Sequence, residues 1–122
     1  MTPSQFGRTT QARFLLDAHL RGFEVLIPFD LATGYDFVVD TGSKLFRVEV
    51  KGVTPSGKRN YYSVNIARHR NTHRAPRFDI CAVWMAREQR WAFLPRSIRK
   101  RIMVRLTPNG KFSKADWSIF SK

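Results

Sequence analysis

Two acidic side chains and one lysine, Asp36, Glu49 and Lys51, carry the strongest chemical pattern in this sequence. Glu49 and Lys51 flank Val50 in an alternating run, residues 45–53. Phe46, Val48 and Val50 point to one face of that run, and Leu45, Arg47, Glu49 and Lys51 to the other. On a strand, residues two apart share a face at roughly 6–7 Å. Asp36 lies near the start of the preceding strand-like run, residues 35–40. The turn Thr41-Gly42-Ser43-Lys44 folds that run back antiparallel. Asp36 is therefore expected beside Glu49 and Lys51 at one sheet edge, adjacent strands being about 4.8 Å apart. Two carboxylates that close stay ionised most easily around a hard divalent cation. Mg2+ takes oxygen ligands, commonly one or two carboxylates with phosphate and water, and the Val50 backbone carbonyl is a further candidate ligand. Such an ion polarises a phosphate oxygen and eases ionisation of an attacking water. Lys51 is suited to orient or deprotonate that water and to offset transition-state charge. The chemistry expected is hydrolysis of a phosphodiester bond.

A Glu-x-Lys pair alone is a weak signal, because it also makes an ordinary ion pair along a strand. Its weight here comes from context: a capped helix, a strand opened by Asp36, a Gly turn, and an apolar strand holding the pair. Charge points the same way. The 122 residues contain 22 Lys and Arg against nine Asp and Glu, a net +13. That excess destabilises a compact domain by self-repulsion, and a polyanionic partner is its natural counterpart. Nucleic acid is favoured over a membrane surface, since no basic amphipathic helix carries an aromatic face. With 43% hydrophobic residues a core is expected, and the apolar runs are too short to span a bilayer. The single cysteine, Cys81, sits in an apolar run and reads as a core residue. No secretory signal opens the chain, and an intracellular location, cytoplasmic or nucleoid-associated, is expected.

The elements that must position the trio can be read from period and punctuation. Thr2-Pro3-Ser4-Gln5 is a helix start with a capping box, and Gly22 a helix stop. Ala12, Leu15, Leu16, Leu20 and Phe23 are expected as the apolar face, with His19 packed on that side. Gly7, costly in a first turn, hints at a close approach there. Strands are expected at 24–27, 35–40, 45–53, 61–66, 78–85 and 90–94, and a short basic helix at 97–102. In the tail, residues 104–120, a turn is expected at Pro108-Asn109-Gly110, with Trp117 docked on the body. This order implies an α/β domain: a central mixed sheet with the N-terminal helix packed on it.

The runs Gly34-Tyr35-Asp36-Phe37-Val38-Val39-Asp40 and Leu45-Phe46-Arg47-Val48-Glu49-Val50-Lys51-Gly52 resemble the PD-(D/E)XK nuclease superfamily. They are closest in style to its small members, archaeal Holliday junction resolvases and related homing-endonuclease and phage nucleases. The later segments Phe78-Asp79-Ile80-Cys81-Ala82-Val83-Trp84 and Arg90-Trp91-Ala92-Phe93-Leu94-Pro95 are similar to strands that close that core. The resemblance implies a restriction-endonuclease-like core over about 7–95 of a single domain 1–122, with 96–122 a basic extension. It also implies Asp36 and Glu49 as ligands of Mg2+, for which Mn2+ can substitute, and Lys51 as the catalytic lysine. Such families often carry a helix glutamate four residues after a glycine; here Gly7 is followed at that spacing by Gln11, which offers hydrogen bonds without charge.

DNA is the expected partner, met by Arg8, Lys58, Arg59, Arg68, Arg70, Arg74, Arg99, Lys100 and Arg101. Tyr61 and Tyr62 fit either a nucleic-acid contact or sheet packing. Cutting both strands needs two active sites, hence a homodimer or higher symmetric oligomer. His69 and His73 have helical metal-pair spacing but no Glu or Cys nearby to complete a zinc site. Two competing readings remain at this level. One is a non-catalytic nucleic-acid-binding module with the same fold, motivated by Gln11. The other is an RNA-binding protein, which leaves the acidic pair unexplained.

Overall fold

The computed structural model describes residues 1–30, 33–66 and 76–121. An 18-residue helix, α1 (Pro3–Leu20), opens the chain. The Thr2 hydroxyl accepts from the Gln5 N–H at 3.1 Å, and Gln5 Oε1 accepts from the Thr2 N–H at 2.8 Å. That reciprocal pair satisfies two amide donors left over at the helix start. At the other end Gly22 takes φ +83°, and the N–H of Phe23 donates back to Ala18 O at 3.1 Å.

Strands β1 (Glu24–Leu26), β2 (Phe37–Asp40), β3 (Leu45–Val53), β5 (Ile80–Met85) and β6 (Arg90–Pro95) form one mixed sheet in the order β1-β2-β3-β5-β6. Only the β3–β5 pairing is parallel, Glu49 facing Cys81 and Lys51 facing Val83. Strand β4 (Tyr62–Asn65) leaves this sheet and pairs antiparallel with β7 (Met103–Leu106), a strand that the sequence pattern did not announce.

Two cores follow, one on each face of the sheet. On one, α1 and the terminal 3-10 turn Trp117–Ser121 cover Phe46, Val48, Val50, Ala82 and Phe93. Phe14 stacks on Phe37 and Trp117 and meets Trp91 edge-on, with centroids 6.0, 5.9 and 5.6 Å away. Burying a ring of that size contributes about 1.5–3 kcal/mol. On the other face, Tyr62, Val64, Val104 and Leu106 of the β4–β7 ribbon pack on Cys81, Val83 and Leu94. Cys81 is fully buried, which pushes its thiol pKa far up and makes it a core residue.

The helix uses a different face from the one expected. Phe6, Thr10, Phe14 and Ala18, each four apart, run along the sheet, while Leu16 and Leu20 are 57% and 72% exposed. The reason is proximity: α1 lies so close over β3 that a Cβ on Gly52 would sit 2.6 Å from both the Phe6 ring and the Thr10 hydroxyl. Only small or flat groups fit that stripe. The close approach hinted at for Gly7 is thus at Gly52, and Gly7 has nothing within 4 Å. His19 is exposed rather than packed. The basic helix expected at 97–102 is a 3-10 turn, Arg96–Lys100, anchored by buried Ile98. The turn at Pro108-Asn109-Gly110 and the docked Trp117 are present.

Candidate active site

The β2–β3 hairpin builds the site. Its turn is closed by the Thr41 N–H donating to Lys44 O at 3.0 Å and by Asp40 Oδ1 accepting from the Gly42 N–H at 2.8 Å. Gly42 takes φ +94°, a conformation that costs a side-chain-bearing residue about 1 kcal/mol or more. The register runs from Asp40 opposite Leu45 to Phe37 opposite Val48. Continued by one residue, it sets Asp36 opposite Glu49. There β2 diverges and side chain replaces backbone: the Asp36 N–H donates to Val48 O at 2.8 Å, and Asp36 Oδ2 accepts from the Val50 N–H at 2.7 Å. The carboxylate is thereby fixed against β3 without further partners from β2.

Glu49 and Lys51 share the opposite face from Val50, which is buried in the core. Their side chains are 25% and 23% exposed, with Lys51 Nζ 3.8 Å from Glu49 Oε1. Burial pushes the Asp36 carboxyl above its ordinary pKa, and the Val50 N–H together with the Lys51 ammonium opposes that shift. The Asp36–Val50 bond and the Glu49–Lys51 ion pair put the three side chains at neighbouring positions of the hairpin. Such a site favours added positive charge.

Asp36 also lines a cleft of about 400 Å3 with Arg8, Gln11, Asp30 and Tyr35. Arg8 and Gln11, three apart on α1, face the same groove. The tight seat of α1 on Gly52, next to Lys51, holds that helix face in place. Asp30 was not singled out from the sequence, where it is one acid in an irregular stretch after β1. Among the described residues no three His, Cys, Asp or Glu side chains gather as a metal-binding group. The oxygen groups here that could hold a metal ion are Asp36, Glu49 and the Val50 carbonyl, which lies on the same strand edge as the N–H that Asp36 engages. Two carboxylates and a carbonyl suit a hard dication that keeps water or takes phosphate for its remaining positions.

Two further acids have structural partners. Asp79, just before β5, accepts from the Arg47 N–H at 2.8 Å and from its guanidinium at 3.3 and 3.1 Å. Burial acts to raise its carboxyl, but these bonds and the Arg47 and Arg96 charges hold it below its ordinary value. Its own N–H donates to Arg47 O at 2.8 Å, so the pair ties β5 to β3 two residues before Glu49. Asp17 accepts from the Trp91 indole N–H at 2.7 Å, a structural bond on the far part of the helix.

Of the basic residues, Arg8, Lys58, Arg59, Lys100 and Arg101 are exposed and Arg99 is half-buried. Arg68, Arg70, Arg74, His69 and His73 lie outside the described residues. Tyr62 is a core residue whose hydroxyl donates to Glu88. Tyr61 is held between Arg59 and Arg105, whose guanidinium carbons are 5.6 and 4.0 Å from its ring centroid. No described helix is long and apolar enough to cross a membrane.

A helix-backed mixed sheet, with an aspartate at one strand's start and Glu-x-Lys on its neighbour, defines a restriction-endonuclease-like α/β domain. The model of the PD-(D/E)XK endonuclease family matches residues 1–116, and the chain belongs to that family. Its fold is similar to that of a bacterial homing endonuclease, with TM-score 0.74 and 22% sequence identity, covering 98% of this chain and 85% of that one. No functionally curated protein matches the chain. It is an endonuclease by family.

Proposed function

We propose that this chain is a Mg2+-dependent endodeoxyribonuclease that hydrolyses phosphodiester bonds in duplex DNA at specific sites. The observation that carries the reading is the Asp36 carboxylate locked to the Val50 N–H at 2.7 Å, beside the Glu49–Lys51 pair. Asp36, Glu49 and the Val50 carbonyl would hold the ion. When bound, Mg2+ supplies Lewis-acid polarisation of a phosphate oxygen and favours ionisation of the attacking water. Lys51, 3.8 Å from Glu49, would orient that water and offset charge growing on the phosphate. Gln11 hydrogen-bonds water or phosphate from the helix side of the cleft, and Arg8 contacts phosphate at its rim.

A site-specific nuclease is favoured over a junction resolvase because the fold is shared with a bacterial homing endonuclease. Cleavage of both strands calls for a symmetric dimer. Leu16, Leu20, Ile27 and Phe29, all more than half exposed, supply apolar surface for it. Mn2+ is expected to replace Mg2+ with the same ligands.

The test is plasmid nicking by wild type, Asp36→Ala and Lys51→Ala in Mg2+, Mn2+ and EDTA. Metal-dependent nicking by wild type alone supports the assignment. Variants that nick at the wild-type rate would show that the trio is not the centre. A four-way junction set against linear duplex, and sedimentation of the protein with and without DNA, decide substrate form and dimerisation.

A further inference from the structure

The β4–β7 ribbon is separate from the main sheet and uses only one of its faces for packing. Tyr62, Val64, Val104 and Leu106 are buried, while Asn65, Met103 and Arg105 point outward and are exposed, with Ser63 half-buried among them. Register places Ser63 opposite Arg105 and Asn65 opposite Met103. Apart from Arg105 lying over the Tyr61 ring, this outward face of an amide, a hydroxyl, a thioether and a guanidinium makes no side-chain hydrogen bond or ion pair among the described residues. Its charge and hydrogen-bonding groups suit the edges of bases.

The ribbon is also placed to reach DNA held at the active site. It covers the sheet face on which Cys81 and Val83 lie, and these are the in-register parallel neighbours of Glu49 and Lys51. The catalytic pair and the ribbon therefore occupy one side of the molecule, joined by the loop that carries Lys58 and Arg59. A two-stranded antiparallel ribbon fits the major groove, where base edges are distinguishable. Outward residues two apart on a strand are roughly 6.8 Å apart, about two base-pair steps.

Arg105 is held in advance. Its guanidinium lies over the Tyr61 ring at 4.0 Å, with Arg59 on the same ring. Stacking limits the rotamers of a flexible side chain and leaves its planar edge able to donate two parallel hydrogen bonds, as guanine O6 and N7 accept them. Asn65 carries the donor and acceptor that match adenine N7 and N6. We propose that the β4–β7 ribbon reads sequence in the DNA major groove, with Arg105 and Asn65 contacting bases and Tyr61 as the residue that positions Arg105. This rests on the DNA-cleaving reading above for its choice of ligand.

The experiment is selection of bound sequences from a randomised duplex library in EDTA, with the full-length wild type, Asn65→Ala and Arg105→Lys. Lysine keeps the charge but cannot bond a guanine as a planar fork. Wild type is expected to enrich a motif. Each variant is expected to lose on the order of ten- to a hundredfold discrimination at one or two base pairs of that motif. Binding to unselected duplex should fall far less, with melting temperature retained. If wild type enriches no motif, or the variants enrich the same one, the ribbon is not the reader. Metal-dependent plasmid nicking on the same preparations separates the two ideas. Nicking with an unaltered motif overturns the ribbon alone, whereas a ribbon-dependent motif without nicking supports the ribbon and overturns the nuclease assignment.

Discussion

Replacing Gly52 by alanine should loosen the seat of α1 over β3, and replacing Gly7 by alanine should do the reverse to stability. At Gly52 an added Cβ would lie 2.6 Å from the Phe6 ring, 2.6 Å from the Thr10 hydroxyl and 2.8 Å from a second Phe6 carbon. Neither neighbour yields cheaply. Thr10 is 2% exposed, and its hydroxyl donates to Phe6 O at 2.8 Å, so turning it away breaks a bond in a buried setting. Phe6 packs against the aromatic core. Overpacking of this kind typically costs about 1–3 kcal/mol. The strain falls next to Lys51 and pushes on the helix that carries Arg8 and Gln11 into the cleft.

Gly7 meets nothing within 4 Å and has ordinary helical neighbours, so alanine there removes only the glycine penalty, about 0.8–1 kcal/mol. Thermal melts should therefore move in opposite directions, by roughly 3–5 °C per kcal/mol for a chain of this size. Nicking rates should fall for Gly52→Ala and change little for Gly7→Ala when assayed well below both midpoints. A Gly52→Ala protein as stable and active as wild type would refute the close-packing argument. It would mean that the helix can lift without disturbing the cleft.

Further outcomes follow from individual contacts. Asp36→Asn keeps an acceptor for the Val50 N–H and removes a carboxylate that burial disfavours, so it should abolish cleavage while retaining or raising stability at neutral pH. Asp36→Ala strands that N–H and should cost about 1–3 kcal/mol in denaturant titration. The raised Asp36 value also means that its contribution to stability declines as pH rises from the ordinary carboxylate range through the folded-state value, a slope Asp36→Asn should lack. Asp79 behaves oppositely. Its lowered value stabilises the fold above about pH 4 and is lost as pH falls below that, so Asp79→Asn should flatten the acid limb of the stability curve. Lys58→Ala with Arg59→Ala should make the log–log salt dependence of DNA affinity shallower by about two, and an unchanged slope would remove them from the phosphate contacts.

The parts of this molecule that sequence made legible are those governed by local rules. Capping chemistry marked the start of α1, alternation split β3 into two faces, and a Gly turn dictated the pairing that delivers Asp36 to Val50 and Glu49. The errors came where distant segments decide. Leu16 and Leu20 have apolar side chains at helical spacing, but the sheet beneath α1 admits only the stripe that Gly52 accommodates. β7 has four residues and takes its strand form from β4, about forty positions upstream, as the register of Ser63 with Arg105 requires. Arg47 and Asp79 look unrelated in sequence, yet their bidentate bond fixes the start of β5 against β3. The same division explains why chemistry was easier to read than its reach. Asp36, Glu49 and Lys51 need only one hairpin to bring them together, and that hairpin is local. The surface proposed to select DNA needs two strands about forty residues apart in the chain. Its logic becomes visible only when Arg105 is seen lying on Tyr61.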